Sequence, residues 1–247
     1  MTDTHLCVTA DPLGRRARVD LRSEGPRGRG HIGVRMLQAR PDGARVALVA
    51  EGALLVAGDT IGLHVRVGPG VTLEVVEPAG TVAYDMRGGH ARWSVHVHLD
   101  RGARLVWCAE PLVVSAGARV FRTLTVELGP GAVAVLRETV VLGRAAESGG
   151  VLHQRMRVTG PEGALLAEDL DVDGAHPQTG VLQGIRVVDT VFTLGRRATG
   201  IPAPDGAHRL ELDGEGTLLR WLGPAVHLST LDAAWTTLGR RRHEIPA

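Results

Sequence analysis

A unit of about thirty residues recurs along the middle of this 247-residue chain, and its period constrains the fold more than any other feature. Each copy contains an alternating strand, a glycine-centred turn, a second strand and an acidic residue. The turn glycines are Gly70, Gly102, Gly131 and Gly163, at spacings of 32, 29 and 32 residues. A fixed period of this size is typical of stacked architectures, in which each unit buries its apolar face against its neighbours.

The strand before each turn alternates apolar and polar residues, which predicts one buried and one exposed face. We therefore predict a mainly all-β fold of stacked β-sheets, built from repeats and either helically wound or sandwich-like, with one or two short helices near the C-terminus. The apolar positions that align between copies are Leu63, Val65 and Val67, then Val95, Val97 and Leu99, then Leu124, Val126 and Leu128.

Outside the repeats, turn residues and periodicity predict further elements. Residues 31–39 and 44–50 form a hairpin across Pro41-Asp42-Gly43. An apolar strand is predicted over 51–60, another strand over 185–195 and a second hairpin over 208–223. Apolar spacing at i, i+3, i+4 and i+7 predicts a helix over 229–239.

The same patterns predict the domain organisation. No segment is rich enough in linker residues to divide the chain, so a single domain over 1–247 is expected. Within it, residues 61–173 form the repeat core. Residues 1–14 are expected to be a mobile lead-in.

Composition argues against several classes of protein. The formal net charge is +1, and the short arginine runs lack interleaved aromatic residues, which speaks against a nucleic-acid partner. No stretch approaches the 18 apolar residues of a membrane span, and the N-terminus lacks the basic start of a secretory signal. The two cysteines, Cys7 and Cys108, form no CxxC motif, so a reduced, cytoplasmic setting is expected.

Catalytic signatures are missing from the sequence. There is no G-x-S-x-G motif, no glycine-rich loop of the dinucleotide type and, without any lysine, no phosphate-binding P-loop. We therefore expect a scaffold and not an enzyme.

Histidine spacing offers one candidate metal site. His96 and His98 share a face of one strand, and His64 occupies the position of His96 one unit earlier. Three imidazoles suit Zn²⁺ or Ni²⁺, which would bind weakly and exchange. The alternative is that these residues only face solvent, since their register is the outward one.

Acidic residues recur after the second strand of each unit, at Glu77, Glu110, Glu138 and Glu168. Equivalent positions superpose in a stacked array, so these carboxylates would form a column, raise one another's proton affinity or recruit cations. The alternative is that they mark polar loop ends, because Glu110 lies one residue and Glu168 two residues out of register.

Three segments together resemble the urease accessory protein UreD, called UreH in some organisms. They are EGALLVAGDTIGLHVRVGPGVTLEVVEPAGTVAYDM (51–86), EPLVVSAGARVFRTLTVELGPGA (110–132) and VVLGRAAES (140–148). The family typically has a Gly-Asp segment, an alternating strand, a glycine turn and a polar run that ends in a tyrosine. The resemblance covers roughly residues 45–195 in matching order and spacing.

The resemblance implies a non-enzymatic, cytoplasmic urease maturation factor with a stacked β-sheet fold. Such a protein pairs with UreF, which recruits the GTPase UreG, and docks on the apo-urease subunits so that Ni²⁺ reaches the active site. It implies no tightly bound cofactor, with Ni²⁺ only in transit, no nucleic-acid or membrane partner, and a homodimer formed through the UreF complex.

Family models route nickel through the protein interior. Our candidates for lining such a passage are Asp59, Glu77, Glu110, Glu138 and Glu147. Our candidates for partner contact are Tyr84, Arg144 and Trp235. Two alternatives stay open: an independent β-solenoid binding module, and a metal-dependent hydrolase that uses the histidine group.

Overall fold

Two stacked β-sheets make up most of the molecule in a computed structural model that describes residues 1–25, 30–176 and 182–240. Strands are numbered in chain order. The strands of the first sheet, sheet A, are β1 (Thr2–Thr9), β2 (Arg18–Glu24), β5 (Thr60–Val67), β8 (Ala91–Leu99), β11 (Arg119–Leu128), β13 (Val151–Gly160) and β14 (Gly163–Asp173). Their spatial order is β14-β13-β11-β8-β5-β1-β2.

The second sheet, sheet B, faces sheet A across the main apolar core. Its strands are β3 (His31–Arg40), β4 (Gly43–Glu51), β6 (Thr72–Val76), β7 (Thr81–Ala83), β9 (Arg104–Cys108), β10 (Leu112–Val114), β12 (Val133–Leu142), β15 (Val187–Leu194), β16 (Ala207–Glu211) and β17 (Gly216–Gly223). The main order is β16-β17-β15-β12-β9-β6-β4-β3, and β10 bridges β12 and β7.

Three of the repeat units form consecutive coils, each crossing from sheet A to sheet B. The pairs are β5 and β6, β8 and β9, and β11 and β12, and successive coils pair in parallel on both sheets. Their corner glycines Gly70, Gly102 and Gly131 have φ values of +67°, +64° and +69°. This left-handed conformation favours glycine. The helically wound, stacked arrangement predicted from the sequence is therefore confirmed.

The prediction of a fourth equivalent unit is wrong. β13 and β14 form an antiparallel hairpin within sheet A, in which Gly160 pairs with Gly163. Only two residues separate these glycines, so the chain turns back beside β13 and does not cross to sheet B. The hairpin thereby covers the open edge of the last coil, as a capping element of a repeat stack does.

The N-terminal segment also departs from expectation. Residues 1–14 were expected to be a mobile lead-in, but Thr2–Thr9 is β1, which lies between β2 and β5 in sheet A. Its alternate residues Leu6 and Val8 are buried in the main core. A short alternating segment can complete a sheet when its apolar face meets an existing core.

The apolar strand predicted over 51–60 is instead mostly a loop between β4 and β5. Leu55, with φ +56°, and Gly58, with φ +83°, take left-handed conformations that interrupt an extended chain. Leu54 and Leu55 are still buried, so the apolar run that suggested a strand reflects core packing.

The remaining predicted elements are confirmed. β3 and β4 form the expected hairpin, as do β16 and β17, and the predicted strand over 185–195 is β15. Ala234 and Leu238 of the helix α1 (Asp232–Arg240), with Leu231 just before it, pack on the outer face of sheet B in a second, smaller core. Within the described residues, no helix is long and apolar enough to cross a membrane.

Candidate functional site between the sheets

A row of polar side chains crosses the apolar core, perpendicular to the strands. On sheet B, Glu138, Thr190 and Arg220 are paired across three neighbouring strands. The same row continues to Ala109 and Glu77, just beyond the ends of β9 and β6. We call this set, with its partners on sheet A, the polar belt; its members are Glu77, Trp93, Arg122, Glu138, Gln154, Glu168, Thr190 and Arg220.

Arg122 and Glu138 form the centre of the polar belt. Trp93, Arg122 and Gln154 are aligned on three strands of sheet A, on the face that meets sheet B. Arg122 is 5% exposed and donates to the Glu138 carboxylate at 2.5 Å and to the Gln154 side-chain oxygen at 2.9 Å. Its guanidinium also lies over the Trp93 ring, 4.9 Å from the centroid. The buried charge is thus held by a carboxylate, an amide and an aromatic face.

A second ion pair joins the two sheets at the end of the belt that is formed by the later strands β14 and β17. Arg220 of β17 donates to both carboxylate oxygens of Glu168 of β14, at 2.5 and 2.9 Å. Its Nε donates to the Thr190 hydroxyl at 3.0 Å. This is the bidentate geometry in which a guanidinium matches a carboxylate.

Glu77, at the other end of the belt, makes no such ion pair with any residue that the structure describes. It accepts hydrogen bonds from the Trp107 indole at 2.9 Å and from the Glu110 backbone N–H at 3.1 Å. Burial raises the pKa of Glu77 to about 7, and the nearby carboxylate of Glu138 acts in the same direction. The two hydrogen bonds and Arg122 act the other way but do not outweigh burial.

A small cavity of about 20 Å³ lies next to this end of the belt, lined by Glu77, Trp93 and apolar residues of β4. That volume suffices for roughly one water molecule. Within the described residues, neither Trp93 Nε1 nor Arg122 Nε, both buried, has a hydrogen-bond partner. The belt therefore retains unused donors in the core near an acid that titrates close to neutral pH.

The charges of the belt are balanced except for Glu77. Arg122 pairs with Glu138 and Arg220 pairs with Glu168, so these four side chains contribute no net charge. Because Glu77 remains, its proton decides whether the belt is neutral or carries one negative charge. A single, partly buried carboxyl of this kind can exchange a proton for another cation.

The structure brings only two of the five predicted passage acids together. Glu77 and Glu138 belong to the belt, whereas Ala109 occupies the equivalent inward position on the middle coil, so Glu110 is exposed. Glu110 thus lies one residue beyond the position equivalent to Glu77 and Glu138, as the sequence spacing also indicates.

The other two predicted passage acids stabilise loops. Asp59 is buried and accepts from the Val56 backbone N–H at 3.1 Å. Glu147 accepts from the side chain and the backbone N–H of Arg144, which with the Ala116 N–H lowers the pKa of Glu147 to about 2.

The predicted histidine group lies on the opposite, outer face of sheet A. His64 and His96 are paired across β5 and β8, and their rings stack face to face. His98 instead contacts the carboxylates of Asp100 and Glu127. Within the described residues, no group of three or more His, Cys, Asp or Glu side chains is arranged to hold a metal ion.

The three predicted contact residues fall into two places. Tyr84 follows β7 and Arg144 lies just beyond the end of β12, at the same end of the coils, and both side chains are exposed. Trp235 of α1 is half-buried and lines a groove of about 460 Å³ with Val106 and Cys108 of β9.

Sequence reasoning missed the residues that bind the belt carboxylates, which are Arg122, Gln154 and Arg220. Each has apolar residues two places before and after it in the sequence, and for Arg122 and Gln154 the strand also alternates. For example, Arg122 follows buried Val120 and precedes buried Leu124. A polar residue at a position where the alternating pattern predicts a buried apolar one is the sequence signal that could have identified them.

Comparison with known proteins agrees with the sequence resemblance. The family model described as UreD urease accessory protein matches residues 15–247. The urease accessory protein UreD 1 of Streptomyces griseus is 44% identical over 203 residues, covering 79% of this chain and 78% of that protein. UreD 2 of Saccharopolyspora erythraea is 32% identical over 95% of this chain and 81% of its own length. This chain therefore belongs to the UreD family of urease accessory proteins.

Proposed function

We propose that this chain is a cytoplasmic urease maturation factor, a non-enzymatic scaffold that docks with UreF and UreG on apo-urease and supports delivery of Ni²⁺ to its active site. Family membership supports the role in urease maturation.

The observation that carries the nickel role is the polar belt. Eight polar or aromatic side chains in an apolar core lower the stability unless their polar atoms are hydrogen-bonded. Apolar residues of similar size would stabilise the fold as well or better. Carboxylate oxygens are suitable ligands for a hydrated divalent ion passing through a protein. A row of polar side chains between the sheets would let such an ion keep oxygen ligands, which the apolar core does not offer.

Within the belt, Glu77 is the residue that we assign to first contact with the ion. The other two belt carboxylates are already neutralised by guanidinium groups at 2.5 Å. Glu77 holds a proton that it releases near pH 7, so a divalent cation can displace that proton without breaking an ion pair. Nickel is cargo in this scheme and no resident metal is required.

Partner contact is assigned to the end of the coils that carries Tyr84 and Arg144, with the side of α1 that carries Trp235 as a separate contact. An exposed tyrosine beside an arginine is a frequent composition at protein interfaces. A homodimer that forms through UreF, and not through direct contact between two copies of this chain, remains part of the proposal.

Affinity capture from cells that co-express the tagged chain with UreF, UreG and the urease subunits of its own organism tests this function. We expect UreF to co-purify, and we expect urease to lack nickel when the chain is omitted. Capture of none of these proteins, with normal urease activation, would overturn the proposal and favour the independent binding module. Tyr84→Ala and Arg144→Ala should weaken capture, with exposed Leu210→Ala as a matched control.

A further inference from the structure

A ladder of three histidines occupies the outer face of sheet A, away from the polar belt. His5 of β1 pairs with His64 of β5, and His64 pairs with His96 of β8, each in parallel register. The ring centroids are 4.5 and 5.1 Å apart, and the ring planes are within 9° of parallel. The row ends on both sides, because Arg22 follows on β2 and Thr125 on β11.

The geometry points to a shared, exchangeable site for one divalent transition-metal ion, in which His64 pairs with either His5 or His96. Two imidazoles at a time supply ligands, and water completes the coordination. The site does not depend on the proposed role in urease maturation, because it is defined by metal binding to the isolated chain.

Small ring rotations are enough to form either pair. Metal–nitrogen bonds of about 2.1 Å place two ligand nitrogens roughly 3–3.4 Å apart. In the stacked arrangement the lone pairs run parallel and do not converge. The torsion that turns a histidine ring is broad and costs little, so neighbouring rings can tilt toward a common ion without moving the strands.

The surroundings leave the ladder available to an ion. An open groove of about 330 Å³ lies over the three rings. The Asp3 carboxylate lies 3.9 Å from His64 Nε2, a position that the missing side chain of Gly62 leaves open.

His98 provides a built-in control. It lies on the same face of β8, two residues from His96, but both of its ring nitrogens are engaged. Nδ1 is 2.9 Å from a Glu127 oxygen and Nε2 is 3.1 Å from an Asp100 oxygen. A ring held in this way has to break two interactions before it can bind a metal.

Calorimetric titration of the full chain without an affinity tag, using NiCl₂, CuCl₂ and MgCl₂, tests the site. We expect Cu²⁺ to bind more tightly than Ni²⁺ and Mg²⁺ not to bind, as imidazole ligands prefer. His64→Ala removes both pairs and should weaken Ni²⁺ binding by on the order of 100-fold, the loss expected when a two-point attachment becomes a single one.

The partial variants make the test specific. His5→Ala or His96→Ala removes one of two arrangements and should weaken binding only about twofold. The double variant of His5 and His96 should match His64→Ala while keeping His64 in place, which covers the case in which His64→Ala fails to fold. His98→Ala should bind like the unaltered chain. Equal Ni²⁺ affinity in all variants, or a loss in His98→Ala as large as in His64→Ala, would overturn the proposal.

Discussion

The two faces of sheet A use polar residues in opposite ways. On the inner face, the two terminal nitrogens of Arg122 donate to Glu138 and Gln154, which lie on different strands. On the outer face, His5, His64 and His96 stack on one another within one register and share a groove with solvent. The hydrogen bonds of the inner residues require particular partner side chains, including one on the opposite sheet. The stacking of the outer rings requires only that neighbouring strands pair in this register. Substitutions should therefore affect stability inside and ligand binding outside.

The largest effect is expected at the centre of the polar belt. Glu138→Leu leaves the Arg122 guanidinium buried without its carboxylate, and removing one partner of a buried ion pair costs about 3–5 kcal/mol of unfolding free energy. Adding Arg122→Met should restore most of that loss, because neither charge then remains. Urea unfolding of the single and double variants measures both values.

Glu110→Leu is the matched control, because Glu110 is an exposed acid near the corresponding position of the preceding coil. We expect a change within about 0.5 kcal/mol for this variant. If Glu138→Leu were equally mild, the ion pair would not be an integral part of the core and the contrast between the two faces would not hold.

A smaller, pH-dependent effect is expected at Glu77. Its pKa rises to about 7 in the folded protein from 4.5, so between these values the folded state binds the proton more strongly than the unfolded state. Stability from this group is therefore present below about pH 4.5 and is lost as the pH rises past 7, by on the order of 3 kcal/mol.

Glu77→Gln mimics the protonated acid and should abolish this contribution. Unfolding free energies of both proteins between pH 5 and pH 8 measure it. The difference between the variant and the unaltered chain should grow in favour of the variant as the pH rises. Parallel curves for the two proteins would show that Glu77 ionises like an exposed acid.

The smallest stability effect is expected on the outer face. His96→Ala removes an exposed ring that stacks on His64, so the unfolding free energy should change by no more than about 0.5 kcal/mol. Urea unfolding in the absence of metal measures this change. A loss comparable to that of Glu138→Leu would mean that the ladder holds β5 and β8 together and is not primarily a ligand surface.

The sequence predicted the parts that depend on periodicity within one strand. The inward apolar positions, the corner glycines of three coils and the helix that carries Trp235 follow from spacing along the chain. Glu77 and Glu138 also follow, because equivalent positions of successive coils superpose. These features need no knowledge of how the sheets face each other.

The parts that were missed depend on which strands become neighbours. Arg122 was not recognised as the partner of Glu138, because the offset between facing sheets cannot be read from either strand alone. The sequence does not group His5 with His64, since the N-terminal segment, predicted as a mobile lead-in, gives no reason to place β1 beside β5. The hairpin of β13 and β14 was missed because Gly163 follows Gly131 by 32 residues, the same spacing that separates Gly70 and Gly102 in the coils.

Nickel content of urease purified from cells that co-express UreF, UreG and either the unaltered chain, Glu77→Gln or Glu110→Gln tests the central claim most directly. Affinity capture in the same cells shows whether each variant still enters the complex. We predict that Glu77→Gln joins the complex but lowers the nickel bound per urease active site, while Glu110→Gln matches the unaltered chain. Full nickel loading with Glu77→Gln would contradict the assignment of the polar belt as the route for the ion.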